Sequence, residues 1–304
     1  MSYHVRTAAE IDPAPSERYA GHAAGHGRDE LVGQHVGAVH TGFALAALAA
    51  DGHIAPHLHS CEESFYVLEG SPTLVLDGRA HRLSPNDCGL IPLGVTHSWH
   101  VSGGGQARWL EMTAPAPRVL GAPDTFFSGG SAPAPHGDPV DIRDPRSRTF
   151  FRLDPGQMEL ENRKLGAPVD APTVSASMAT ALLAYSGITL QMLVDQRLGA
   201  VLHTMFMVQY EPGGVAQPHD HPFEETYYIL EGEVEALADG DTMVLRAGDV
   251  LWTGVGCIHA FYNRSPTGRV RWLETQSPQP PSNHSYRFDR DWDYLATRLP
   301  DGGR

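Results

Sequence analysis

His57-Leu58-His59-Ser60-Cys61-Glu62-Glu63, completed by His97 in Pro92-Leu93-Gly94-Val95-Thr96-His97, returns 162 residues later. The second copy is His219-Asp220-His221-Pro222-Phe223-Glu224-Glu225, completed by His259 in Gly254-Val255-Gly256-Cys257-Ile258-His259. One offset superposes all eight candidate ligands. It also carries Glu69-Gly70 onto Glu231-Gly232, Asp87 onto Asp249, and Val36-Gly37-Ala38-Val39 onto Leu198-Gly199-Ala200-Val201. Arg108-Trp109-Leu110-Glu111 matches Arg271-Trp272-Leu273-Glu274 after one inserted residue. The chain is therefore two repeats, each with a candidate metal site.

On a strand, alternate side chains share a face. His57 and His59 then point the same way, roughly 7 Å apart along the strand. Glu63 keeps that parity, and His97 arrives from a separate strand after a Pro-x-Gly turn. Three imidazoles and one carboxylate make a mixed nitrogen and oxygen set that fills four positions. A six-coordinate ion keeps two more for substrate, water or dioxygen. A structural zinc site would be closed and rich in thiolates. The expected metal ligands are His57, His59, Glu63 and His97, and His219, His221, Glu225 and His259. Up to two divalent transition ions per chain are expected, with Fe(II) favoured and Mn(II), Zn(II) or Ni(II) as alternatives.

The 304 residues carry a formal net charge of -14, with a pI near 5.6. That balance disfavours nucleic acid and anionic membranes as partners. Three cysteines, Cys61, Cys88 and Cys257, do not read as a disulfide framework and fit a reducing compartment. The stretch Met1–Ser16 lacks a hydrophobic signal core, and Ala44–Ala50 is too short to span a bilayer. The expectation is a cytoplasmic monomer or homodimer that acts on a small molecule.

With 32 glycines and 24 prolines, turns are frequent and an all-β plan is favoured. Phe65-Tyr66-Val67-Leu68 and Thr226-Tyr227-Tyr228-Ile229-Leu230 read as strands that stop at Glu-Gly. Thr73–Leu76 before Asp77-Gly78, and Ala236–Ala238 before Asp239-Gly240, read as strands entering hairpin turns. The expected organisation is an N-terminal arm (1–33), a first domain (34–117), a linker (118–195), a second domain (196–280) and a C-terminal tail (281–304). Short helices are expected at Thr173–Tyr185 and Asp289–Arg298.

These residues resemble the cupin superfamily. Gly-x5-His-x-His-x3-Glu-x6-Gly is met by Gly213, His219, His221, Glu225 and Gly232. Gly-x5-Pro-x-Gly-x2-His-x3-Asn is met by Gly248, Gly254, Gly256, His259 and Asn263, with Gly254 in place of proline. Copy one keeps His57, His59, Glu63, Gly70, Pro92, Gly94 and His97, but Val101 replaces the final asparagine. The chain thus looks like a bicupin. The resemblance implies two tandem jelly-roll barrels (double-stranded β-helices), each with its metal inside.

Residues two beyond a ligand share its face. Tyr227 (counterpart Phe65) and Phe261 (counterpart Trp99) should therefore point inward, with Phe223 (counterpart Cys61) and Gln209 (counterpart Ala47) as further pocket candidates. Such aromatic walls suit a small aromatic or dicarbonyl substrate. The expected activity is that of a non-haem Fe(II) dioxygenase, with Glu63 and Glu225 essential. Two alternatives remain open: a Mn(II)-dependent, oxygen-independent hydrolase, decarboxylase or isomerase, and a non-catalytic metal- or ligand-binding bicupin. Oxalate decarboxylase-like bicupins share the ligand set, but their Ser-Glu-Asn lid is absent here. Gentisate dioxygenase-like ones lack the glutamate.

Overall fold

The computed structural model describes residues 2–116, 124–129, 137–142, 144, 147–159, 185–279 and 287–288. Among these it is almost entirely strand, in two curled sheets of 11 and 10 strands. The expected pair of jelly-roll barrels is therefore what forms. The segments read as helices, Thr173–Tyr185 and Asp289–Arg298, lie outside the described residues, except Tyr185, which begins a strand.

One long strand organises each barrel. Gly42–His59 pairs through its first half with Ala107–Ala114, from Gly42↔Thr113 to Leu48↔Ala107. Its second half crosses to His97–His100, which sets His57 opposite His97. Thr204–Asp220 repeats the path, first along Val270–Ser277 and then to His219↔His259. A strand shared between two walls is what curls the sheet. In both copies the register shifts just before the first histidine, between Ile54 and His57 and between Ala216 and His219. Such bulges bend a strand and re-aim the side chains that follow.

The motif residues outside the ligand set hold turns. Asp77 and Gly78 take φ of 48° and 75°, and Asp239 and Gly240 take 47° and 94°. These are the left-handed values of a two-residue hairpin. At Gly70 (φ 80°) a Cβ would meet the Gln106 carbonyl oxygen at 2.0 Å, and at Gly232 (φ 81°) the Arg269 carbonyl at 2.4 Å. The Glu-Gly stop is thus a close backbone crossing that only glycine permits.

Both faces of several strands are buried. On Glu62–Glu69, Phe65 and Val67 enter the core of the first barrel, while Tyr66 enters an apolar cluster shared by both barrels. The shared cluster joins Phe43, Leu45, Leu110 and Met112 to Met205, Met207, Trp252 and Leu273. Two-sided burial replaces simple alternation with continuous apolar runs. One short strand ahead of each barrel crosses over to the other. Tyr3–Arg6 pairs with Val250–Thr253 of the second barrel, and Phe150–Arg152 pairs with Asp87–Gly89 of the first. Asp249 accepts from the Ala8 backbone N–H at 2.7 Å, and Asp87 from Arg152 Nη2 at 2.8 Å, so the paired aspartates anchor the exchanged strands.

The barrels are also clamped by a reciprocal pair of carboxylates. Glu224 accepts the backbone N–H groups of Val39, His40 and Thr41 at 2.8, 3.1 and 2.9 Å. Its counterpart Glu62 accepts those of Val201 and Leu202, both at bonds as short as 2.9 and 2.8 Å, and lies 3.2 Å from His203 Nδ1. Burial opposes ionisation of Glu62, but the His203 contact and the two N–H donors outweigh it and hold its carboxyl below the usual range. A depressed carboxyl stabilises the fold fully above its ordinary pKa near 4.5 and loses that contribution as pH falls below it. Glu224→Ala removes the acceptor of three backbone donors, that of Thr41 buried, and should cost about 1–3 kcal/mol, measured by denaturant unfolding. Glu62→Gln should flatten the part of the loss of stability that sets in as pH falls below about 4.5, the ordinary value of the unfolded carboxyl.

Candidate metal centres

Each barrel brings three imidazoles to one point. The ring nitrogens of His57, His59 and His97 lie within 4.8 Å of one another, as do those of His219, His221 and His259, and all six rings are buried. Backbone carbonyls set their orientation. His57 Nδ1 is 2.7 Å from the Ala55 oxygen, and His97 Nδ1 is 3.1 Å from that of Val95. His219 Nδ1 is 2.6 Å from the Gln217 oxygen, and His259 Nδ1 is 2.9 Å from that of Cys257. A carbonyl only accepts, so each Nδ1 carries the proton and each Nε2 presents a lone pair inward. His59 Nδ1 meets the Thr125 hydroxyl at 3.2 Å instead.

Burial also disfavours the charged form of three of these rings. It pushes His57 down to about 3 and holds His97 and His219 well below the ordinary histidine value. Neutral imidazole is the ligating form. The His97 Nε2 atom is buried with no hydrogen-bond partner among the described residues. Four donor atoms thus fit a divalent transition ion, in the chemistry as well as in the placement.

The carboxylates reach the same points by different surroundings. Glu63 Oε2 lies 3.1 Å from His59 Nε2. Glu225 Oε2 lies 3.2 Å from His221 Nε2 and 3.1 Å from His259 Nε2. Glu225 is further held by the Tyr227 hydroxyl at 2.5 Å and by Gln276 Nε2 at 2.8 Å. In the first barrel Phe65 stands where Tyr227 stands, and Thr113 where Gln276 stands, so Glu63 lacks both donors. Deeper in the barrels, Glu111 is paired with Arg28 at 2.9 Å and takes Trp109 Nε1 at 3.0 Å. Its counterpart Glu274 keeps the indole donor, Trp272 Nε1 at 2.9 Å, but has Leu190 where Arg28 stands. Burial and the nearby Glu225 hold the Glu274 carboxyl well above the usual range, as a neutral acid.

The pocket candidates divide. Tyr227 and Phe261 line a cavity of about 50 Å³ together with His219, His221, Glu225, Glu274, Trp272, Ile188 and Leu190. Phe223 stacks on His221, centroids 4.5 Å apart. Trp99 is buried in the first barrel's core, stacked on Trp109 at 4.5 Å. Cys61 is buried, and burial pushes its thiol, like that of Cys257, up to about 12, so neither offers a thiolate at neutral pH. Gln209 is not among the cavity-lining residues: its amide is bound by Arg271 Nη2 at 2.6 Å and donates to Glu211 at 2.8 Å.

Some residues near the first centre escaped the motif reading. Tyr19 and Phe127 pack over His57, with centroids 5.8 and 5.5 Å away. Thr125 comes from a strand that pairs with His59. Nothing in the local sequence marks these three. Arg28 and His26 carried a signal, since charged and polar residues alternate there where the other copy has Leu190 and Ile188.

Residues 44–113 and 206–275 each match the cupin domain. The chain belongs to the cupin superfamily, as a bicupin whose two barrels each hold a group of three histidines. Polyketide synthase CurC of Streptomyces cyaneus is 30% identical over 96 residues, which is 31% of this chain and 62% of that protein. The chain therefore matches less than two thirds of that relative's length. A salicylate 1,2-dioxygenase variant from Pseudoaminobacter salicylatoxidans superposes with a TM-score of 0.67 at 14% identity, covering 98% of this chain and 86% of that one. A glyoxylate-induced protein of Pseudomonas aeruginosa, so named provisionally, gives 0.59 at 18% identity over 95% and 92%. An oxalate decarboxylase variant of Bacillus subtilis gives 0.61 at 15% over 98% and 84%.

Metal loading follows from this geometry. Elemental analysis of reconstituted protein should approach two divalent ions per chain, and His219→Ala with His221→Ala should leave one. Because the ion binds only the folded state, chelation should lower the melting temperature and re-addition should restore it. No change with Fe(II), Mn(II) or Zn(II) would refute the centres.

Proposed function

We propose that this bicupin is a metal-dependent enzyme, a non-haem Fe(II) dioxygenase acting on a small dicarbonyl or related oxygen-rich compound. The observation that carries the reading is the donor set: three clustered, buried imidazoles and one carboxylate, which among the described residues offer protein ligands for four positions. A bound iron would supply open coordination positions and redox chemistry. His219, His221, His259 and Glu225 would hold it in the second barrel, and His57, His59, His97 and Glu63 in the first. Tyr227 donates its hydroxyl proton to Glu225 and lies 3.0 Å from His259 Nε2, so it orients that carboxylate beside the histidine group.

The cavity narrows the substrate. A void of about 150 Å³ accommodates benzene, and the second barrel has about 50 Å³. A molecule of few heavy atoms suits that space better than an aromatic ring. Its walls are aromatic and aliphatic apart from the centre and Glu274, which excludes water from the reacting atoms.

Glu274 favours a second reading, oxygen-independent chemistry at Mn(II). A buried neutral carboxyl beside the centre can serve as a general acid in a decarboxylation, isomerisation or hydrolysis. The three buried free thiols support a cytoplasmic setting. Among the described residues no helix is long and apolar enough to cross a membrane. We assign the chain a monomeric or homodimeric state.

An oxygen electrode with β-dicarbonyls, hydroxy acids and catechols decides between the readings. The dioxygenase assignment expects Fe(II)-dependent oxygen uptake, strongly reduced by Glu225→Ala, and by about tenfold, 1.4 kcal/mol, in Tyr227→Phe. Equal turnover with Mn(II) under strict anaerobiosis would replace it with the second reading.

A further inference from the structure

The two barrels differ most on one strand. Ala23–Val32 lays its inward side chains, His26 and Arg28, against the first barrel's interior. The corresponding strand of the second barrel, Tyr185–Val194, puts Ile188 and Leu190 there, lining the apolar cavity. Arg28 is already committed, its side chain 7% exposed and its Nε on Glu111. His26 is not. The residue is 7% exposed, and among the described residues neither buried ring nitrogen has a hydrogen-bond partner.

Native interiors pair nearly all such atoms, because an unpaired one forfeits its hydration for nothing. A histidine kept for packing alone would do no better than the isoleucine the second barrel uses. The ring's surroundings point to the metal centre. Tyr19 packs edge-on against His26 at 4.7 Å and against His57 at 5.8 Å, so His26 stands one aromatic ring away from a ligand.

We propose that His26 is a ligand-binding residue of the first barrel: it hydrogen-bonds the ionisable oxygen of a small chelating oxygen acid whose other oxygens face His57, His59 and His97. The second barrel, with Ile188 at that place, makes no such contact, so the duplicated centres differ in what they bind. This rests on the reading of the histidine groups as metal centres, and is independent of whether dioxygen is used.

The test uses the full chain loaded with Co(II), and acetohydroxamate, a small chelator that loses a proton on binding, as the probe. Wild type should show two binding steps in the visible spectrum. His26→Leu should weaken one of them about tenfold or more, leave the other unchanged, and keep two ions per chain. His26→Gln, which retains a donor and an acceptor, should recover most of that loss. Removing two unpaired nitrogens should also raise the melting temperature of the metal-free His26→Leu chain by roughly 2–4 °C. Unchanged affinities at both ions, loss of one ion, or a fall in the metal-free melting temperature would each overturn the assignment. The last readout needs no metal, so it separates failure here from failure of the centres themselves.

Discussion

The structure depends on a set of short bonds between imidazole Nδ1 atoms and backbone carbonyls two residues earlier. Four of the six clustered histidines make one. The bond fixes which nitrogen carries the proton and where the other aims. At His57 and His219 the carbonyl lies on a strand bulged just ahead of the histidine, and at His97 and His259 it comes from the turn that leads into the strand. The bulge, the curl of the long strand and the tautomer of the ring are thus one device. Without it, three neutral rings and a carboxylate would be poor core packing.

Duplication explains the rest of the architecture. Each barrel buries its second face on the other, so the apolar cluster of Phe43, Met112, Met207 and Trp252 belongs to neither alone. One short strand before each barrel pairs on its neighbour, and Glu62 and Glu224 each satisfy backbone donors across the interface. Inside, the copies have diverged. The first barrel pairs Glu111 with Arg28, while in the second burial and Glu225 raise the Glu274 carboxyl well above the usual range and Tyr227 and Gln276 hold Glu225. The same fold therefore presents two chemically different interiors.

The clustering of the histidines and the barrel plan were legible because they rest on parity and repetition, which sequence displays directly. Glu69-Gly70 and Asp87 were visible as repeated residues, but their work, a backbone crossing and an anchor for an exchanged strand, needed the fold. Gln209 looked like a pocket residue because its counterpart is Ala47. Its partner Arg271 is 62 residues away in sequence, and adjacency across a sheet leaves no local mark. Tyr19 and Thr125 were invisible for the same reason: they approach His57 and His59 from segments outside the repeat. His26 and Arg28 could have been found by extending the offset backwards to Ile188 and Leu190.

Anomalous diffraction from crystals of the Fe(II)- or Co(II)-loaded chain tests the central claim most directly. The account predicts one peak inside each barrel, about 2.0–2.2 Å from the Nε2 atoms of His57, His59 and His97 or of His219, His221 and His259. A peak bound through Nδ1, or a barrel with no ion at full loading, would contradict it.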